Sequence, residues 1–320
     1  AMSSAHPWWA CLLLMGMPFL YPALAGPYSL GRGDQEHAID PGIPGFTGVD
    51  GDGVVSISNK VNPRFVGWAS EVVSYQPANG VSASWSMASN AVGEVTGDHI
   101  DIVSLGELST SEIESGNQQG SITLGFPVSI ADGPGPDFAV FENAFTVEGA
   151  DNYLFAELAY VEVSSDGNTF ARFPSVSLDL PDALVTNVPG GTTFAIRDAT
   201  TIFNLAGKHA NHSSLESWGT PFNLGDLSNH PLVLSGEINL SNIRFVRLVD
   251  IPGSGDFLDS EHPENPIYDA WASPSGSAGF DLEAIGVLNF STLCETIITE
   301  GDPALCWYAA TNRMYQVQCS

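Results

Sequence analysis

Positive charge is what this chain has least of. Nine Lys and Arg stand against 37 Asp and Glu, for a formal charge of −28 over 320 residues. Nucleic acids and anionic membranes are held through basic residues, so a surface of this sign excludes both as partners. Cysteine is scarce as well: Cys11, Cys294, Cys306 and Cys319 are the four present, and their spacing does not fit a zinc site. Long apolar runs are confined to residues 8–20, and nothing beyond them is long and apolar enough to span a membrane. No sustained 3.6-residue period runs through the sequence.

Turn formers are plentiful, with 33 Gly and 21 Pro, and 43% of residues are hydrophobic, 17 of them Phe. That composition supports a sizeable core of short strands joined by turns. Residues 1–25 read as a secretory signal peptide: the run Trp8 to Leu20 is apolar, and Ala23-Leu-Ala25 has the small-x-small form of a cleavage site, although only His6 stands where basic residues are usual. Residues 26–60 form a flexible Gly/Pro-rich arm; its Asp50-Gly-Asp52-Gly53 is half of a calcium loop without the closing Glu, and reads as a turn. Residues 61–290 form one β-sandwich, an all-β fold. Residues 291–320 form a short C-terminal β segment. There Cys306 and Cys319 flank a hairpin-like stretch and could pair across it as a disulfide, which leaves Cys294 odd.

Strands are expected over Ser121 to Phe126, Asp137 to Phe141, Ala159 to Val163, Arg244 to Asp250 and Gly279 to Leu288. In the last, alternation puts Phe280, Leu282 and Ala284 on one face and Asp281, Glu283 and Ile285 on the other. Residues 201–220 and 253–277 read as long loop insertions, the places where a rigid sandwich carries its binding sites. Asp137, Glu142, Glu157 and Glu162 recur inside the strand patterns. A carboxylate in a half-buried strand needs a partner, and with so few basic residues a metal ion is the expected one.

The stretches Gly120 to Phe126, Asp132 to Asn143, Ala156 to Gly167, Phe203 to Ala210 and Pro266 to Trp271 resemble a family of exported bacterial cell-surface proteins, many with C-terminal sorting signals, whose molecular function is not established. The resemblance spans about residues 60–290 and implies a surface location. After Val287 no apolar sorting helix with a basic flank follows; Trp307 to Ser320 instead resembles the opening of a truncated Ig-like module. Val161 to Phe170 (Val-x-Val-Ser-x-Asp-Gly-x-x-Phe), Arg244 to Leu248 and Phe280 to Val287 resemble galactose-binding-like jelly rolls of the discoidin and carbohydrate-binding-module group. That resemblance implies a jelly-roll sandwich with a structural calcium near one end, bound by counterparts of Asp281 and Glu283.

Calcium takes six to eight hard oxygens. Asp137, Glu142, Asn143, Asp281 and Glu283 are the expected ligands, with Asp250 and Asp269 as additions from strand and loop ends. Trp218, Tyr268 and Trp271, in the two insertions, are candidate platforms for a sugar ring. His209 and His212 lie three apart without the Glu of a metalloprotease motif and read as loop histidines. A Gly-x-Ser-x-Gly elbow and a phosphate-binding Gly loop are both missing. The expectation is a secreted or surface-exposed, non-catalytic, calcium-stabilised protein that recognises surface glycan or extracellular matrix. The alternatives are a structural or adhesive component without a ligand pocket, and a glycoside hydrolase-like enzyme working through acidic pairs.

Overall fold

The computed structural model describes residues 40–47, 60–146, 154–178, 199–213, 216–272, 276–291, 294–299 and 302–307. Two antiparallel sheets carry the architecture. Their strands, in chain order, are β1 (Ile43–Pro44), β2 (Gly67–Trp68), β3 (Glu71–Gln76), β4 (Val103–Ser104), β5 (Ser121–Ile130), β6 (Phe138–Glu142), β7 (Leu158–Ser164), β8 (Ala171–Arg172), β9 (Asn211–Ser213), β10 (Glu216–Phe222), β11 (Ile243–Ile251) and β12 (Asp281–Val287). The first sheet runs β1-β10-β6-β12-β2, with β9 beside β10 and β4 beside β12; the second runs β8-β7-β11-β5-β3. Helix among the described residues is limited to short turns such as Thr110–Glu114 and Pro231–Leu234. The fold is all-β.

The core follows from period-two alternation. Phe138 and Val140 of β6 and Leu282, Ile285 and Val287 of β12 meet Ile122, Leu124, Val161, Val163, Val246 and Leu248 of the second sheet in one buried cluster. The outer faces are covered too. Phe46, Phe65, Ala139, Phe141 and Ala284 pack outside the first sheet, and Leu158, Tyr160, Ile202, Ile251 and Ile267 outside the second. Buried on both faces, β6, β7 and β12 are buried along their whole length.

Three expectations change. Residues 216–220 of the anticipated 201–220 loop belong to strand β10, paired with β6 inside the sheet; Gly219 and Pro221 break the alternation that marks a strand. Trp218 therefore lies in a strand opposite Pro44, half-buried. Part of the Gly/Pro-rich segment, residues 40–47, packs on the sandwich: Ile43 and Phe46 are buried, and the fully buried Lys208 pairs with Asp40 at 2.6 Å. Finally, β12 shifts register against β6 between Leu282 and Ala284. This bulge turns Ile285 to the central core and Ala284 to the outer face, reversing the simple alternation beyond residue 282. The 253–272 stretch remains irregular, held by Asp259, which accepts from Ser177 N, Glu261 N and Asn265. Cys306 lies in strand Asp302–Trp307 opposite Glu295; Cys319 lies outside the described residues.

Glu162 has a partner, and it is not a metal. Its two oxygens take the guanidinium groups of Arg172 and Arg247 at 2.8 and 2.5 Å. Arg172 stacks over Tyr160 at 4.0 Å and Arg247 over Phe170 at 3.9 Å. Two of the nine basic residues thus serve one strand carboxylate. Glu162→Gln is expected to lower stability by about 1–2 kcal/mol, since both guanidinium groups keep access to water. Chemical denaturation with and without calcium measures this, and the loss is expected to be equal in both.

Candidate metal centre

Three strands each place a carboxylate one step past their last core side chain, and at the same end of the sandwich. Glu142 follows Phe138 and Val140 in phase on β6; Asp250 follows Val246 and Leu248 on β11; Glu157 precedes Ala159, Val161 and Val163 just before β7. Ala159 is registered against Asp250, and Glu142 against Leu282 beside Asp281. Asp269 comes from the 253–272 loop and Glu107 from the irregular segment after β4. Glu142, Glu157, Asp250, Asp269 and Asp281 are at most 5% exposed; Glu107 is half-buried.

Three successive amides hold this end together. Gly279 N donates to Glu157 Oε1 at 3.0 Å, Phe280 N to Asp250 Oδ1 at 2.8 Å, and Asp281 N to the carboxylate of Glu142. A fourth amide, Leu158 N, donates to Asp269 Oδ2 at 2.7 Å. Ser104 and Asn143 hydrogen bond to Asp281. Each of these anchors fixes one side of a carboxylate. The other oxygen is left without a hydrogen-bond partner at Glu142 Oε2, Asp250 Oδ2, Asp269 Oδ1 and Asp281 Oδ1, as is Asn143 Oδ1. The ion pairs seen among the described residues, at Glu162, Asp40 and Asp98, lie elsewhere.

Small residues let the backbone come this close. A Cβ at Gly253 would stand 2.0 Å from Asp269 Oδ1. Gly279 has φ +80° and would bring a Cβ within 2.9 Å of Asp250 Oδ1, so neither position admits a side chain.

Burial is the first cause that raises Glu142, Glu157, Asp250, Asp269 and Asp281 above the usual carboxylate range, and repulsion between neighbouring acids adds to it for the first four. Glu142 and Glu157 are raised further by Asp281, Asp250 by Glu107, and Asp269 by Asp250. Asp281 is pushed up to about 8, against the lowering effect of its Ser104 and Asn143 bonds. Among the described residues no group of three or more His, Cys, Asp or Glu side chains stands ready-arranged to hold a metal ion. The open oxygens are thus not arranged as a closed coordination shell.

Of the expected ligands, Glu142, Asn143 and Asp281 meet here, joined by Asp250 and Asp269. Asp137 does not. It precedes β6 at the opposite end, and its oxygens accept from Gly133 N, Leu224 N and Asn289 Nδ2; burial raises it to about 6. Glu283 is also apart and satisfied: Oε1 accepts from Thr96 N, Thr96 Oγ1 and Gly97 N, and Oε2 from Asn211 Nδ2. Glu107 escaped the sequence reading because no strand pattern surrounds it. Tyr268 and Trp271 flank Asp269; Trp271 Nε1 donates to Leu108 O at 3.1 Å. Trp218 stands apart from them, on β10. A groove of about 530 Å³ is lined by Arg172, His230 and His262 among others, and by none of the three candidate aromatics. His209 is buried, its Nδ1 3.0 Å from Thr220 Oγ1 and its Nε2 3.2 Å from Asp40 O. Facing a carbonyl, Nε2 carries the proton, so this histidine is structural. No protein-family model matches the chain, and no curated protein does.

A pH dependence follows. The folded-state values of these carboxyl groups lie above their unfolded ones, so the stability they contribute is present below about pH 4 and is lost as pH rises through the folded values. In chelator, the melting temperature is expected to fall as pH rises from about 4 through about 8, where Asp281 ionises, the still more deeply buried acids continuing the same trend. Saturating calcium, by supplying the counter-charge, is expected to abolish or reverse that fall; thermal melts across this range in both conditions read it.

Proposed function

We propose that this chain is an exported, surface-exposed, non-catalytic binding protein whose sandwich is a galactose-binding-like jelly roll stabilised by calcium at its carboxylate end. The observation that carries the metal assignment is the state of Glu142, Asp250, Asp269 and Asp281: one oxygen fixed by a backbone or side-chain donor, the other buried and open. That is how outer partners orient ligands around an ion. The donors are all hard oxygens, carboxylate and amide, which suits calcium's six to eight ligands and not the sulfur and imidazole of a zinc site. The residues fit the ion, which would supply counter-charge and crosslink both sheets to the 253–272 loop; it need do no chemistry.

The same loop links the metal to recognition. Asp269 lies between Tyr268 and Trp271 in sequence, so an ion fixing Asp269 also fixes the segment that presents both rings. Surface glycan or a matrix component with exposed sugar faces is the partner this arrangement favours. A hydrolase would need a sugar between its carboxyl groups, and at most 5% exposure of the five buried ones leaves none in reach.

Thermal unfolding tests the reading through a change of sign. In millimolar calcium the wild type is expected to melt several degrees higher than in chelator. Asp281→Asn is expected to be less stable than wild type in calcium, yet more stable in chelator at pH 8, because it removes an uncompensated charge while keeping the shape. Glu283→Gln is expected to be weaker in both and to keep the calcium shift. An unchanged wild-type midpoint would sink the calcium reading. Glycan-array binding that is equal in calcium and chelator would uncouple recognition from the ion.

A further inference from the structure

We propose that Asn79 is a self-modifying site: it loses its side-chain amide to attack by Gly80, at a rate restrained by Glu112, and the carboxylate left behind parts its turn from the helical turn that follows Glu107. Neither calcium nor glycan enters this chemistry.

Asn79-Gly80 is the one Asn-Gly step in the sequence. Both residues are exposed, in the turn that follows β3. Gly80 has φ +97°, and a Cβ there would meet nothing within 4 Å, so open space surrounds the tip of the turn. The flanks are fixed instead. Ala78 N donates to Leu105 O and Ser82 N to Gly276 O, both at 2.8 Å, and a Cβ at Gly106 would stand 2.9 Å from Ala78 O. The tip is free to rearrange while its two ends stay on the sandwich.

The chemistry needs only water. Gly80 N attacks Asn79 Cγ; the new N–C bond closes a cyclic imide as the Cγ–Nδ2 bond breaks, and ammonia leaves with the proton taken from Gly80 N. Water then opens the imide at either carbonyl, giving aspartate or its β-linked isomer at position 79. Glycine opens this route because no side chain shields its nitrogen from the close approach. A negative charge replaces a neutral amide.

Glu112 faces that charge. Its Oε1 accepts from Asn79 Nδ2 at 2.7 Å, and its Oε2 from Ser109 N and Oγ at 2.9 and 2.7 Å, closing the capping box of the helical turn Thr110–Glu114. The bonds from Ser109 and Asn79 hold its carboxyl down at about 2, so it is ionised at neutral pH. Before the reaction, the Asn79–Glu112 bond ties up the amide and keeps Cγ from swinging over Gly80 N. After it, the donor is gone and two like charges stand where the bond was. The segment just before the helical turn is the one that meets the 253–272 loop, where Leu108 O accepts from Trp271 Nε1 at 3.1 Å.

Peptide mass mapping of the full chain, sampled over time at neutral pH, reads the reaction. The expected result is the mass gain of NH2 exchanged for OH, appearing first in the peptide that holds Asn79-Gly80. Gly80→Ala is expected to slow it about tenfold or more. Glu112→Gln keeps the capping box through its carbonyl oxygen but turns an amide nitrogen toward Asn79, and is expected to speed it about threefold. Deuterium exchange reads the consequence. The amides of residues 110–116 are expected to exchange faster in the aged wild type and in Asn79→Asp, and to return to the fresh wild-type rate when Asn79→Asp is combined with Glu112→Gln. No mass gain at position 79, or an undiminished rate in Gly80→Ala, overturns the site. An unchanged rate in Glu112→Gln overturns its restraint, and unchanged exchange overturns the parting of the turns.

Discussion

A carboxylate carried out of water loses several kcal/mol of hydration unless an opposite charge or enough donors replace it. The sandwich meets this constraint in three ways at three places. Glu162 is given two of the chain's nine basic side chains. Asp137 and Glu283 are surrounded by amide and hydroxyl donors. The group around Asp281 receives donors on one side only. With basic residues so few, the third solution leaves buried oxygens without donors, and the glycines, loops and strand ends at that end of the molecule bring those acids together.

The division between the ends of β6 shows how local the solutions are. Glu142 lies five positions after Asp137, yet Asp137 closes a turn through three donors and Glu142 joins a set of mutually repelling acids. Both are buried and both are raised above the ordinary range. What distinguishes them is the balance of partners: Asp137 has donors on both oxygens, whereas Glu142 keeps one oxygen without a hydrogen bond.

Much of this was legible in the sequence. Alternating apolar residues around Ser121, Phe138, Ala159 and Arg244 gave the strands, and carboxylates inside those patterns announced a need for counter-charge. Glu142, Asn143 and Asp281 could be named, with Asp250 and Asp269 beside them. The signal left unused was phase: Val140 to Glu142, Ala159 back to Glu157, and Leu248 to Asp250 each step by two, which puts all three acids on the core face. Glu107 had no such signal, since its neighbours Gly106 and Leu108 lie in an irregular segment. Asp137 and Glu283 were drawn in because proximity in sequence stood in for proximity in space; strand direction separates the first, and the bulge after Leu282 reorients the strand around the second. Strand β10 was hidden by Gly219 and Pro221, which read as loop until pairing with β6 overrides them.

The amides of Gly279, Phe280 and Asp281 grip side chains that arise 122, 30 and 139 residues earlier in the chain. Loops of that length must close before the grip can form. During synthesis, Glu142, Glu157 and Asp250 emerge well before the segment that gathers them, and an acidic chain with unpaired strand edges waits meanwhile. The last strand of the sandwich is thus its latch. The long-range grip is made at the end of assembly, not its start, and once made it resists the slow partial openings through which proteases and aggregation act.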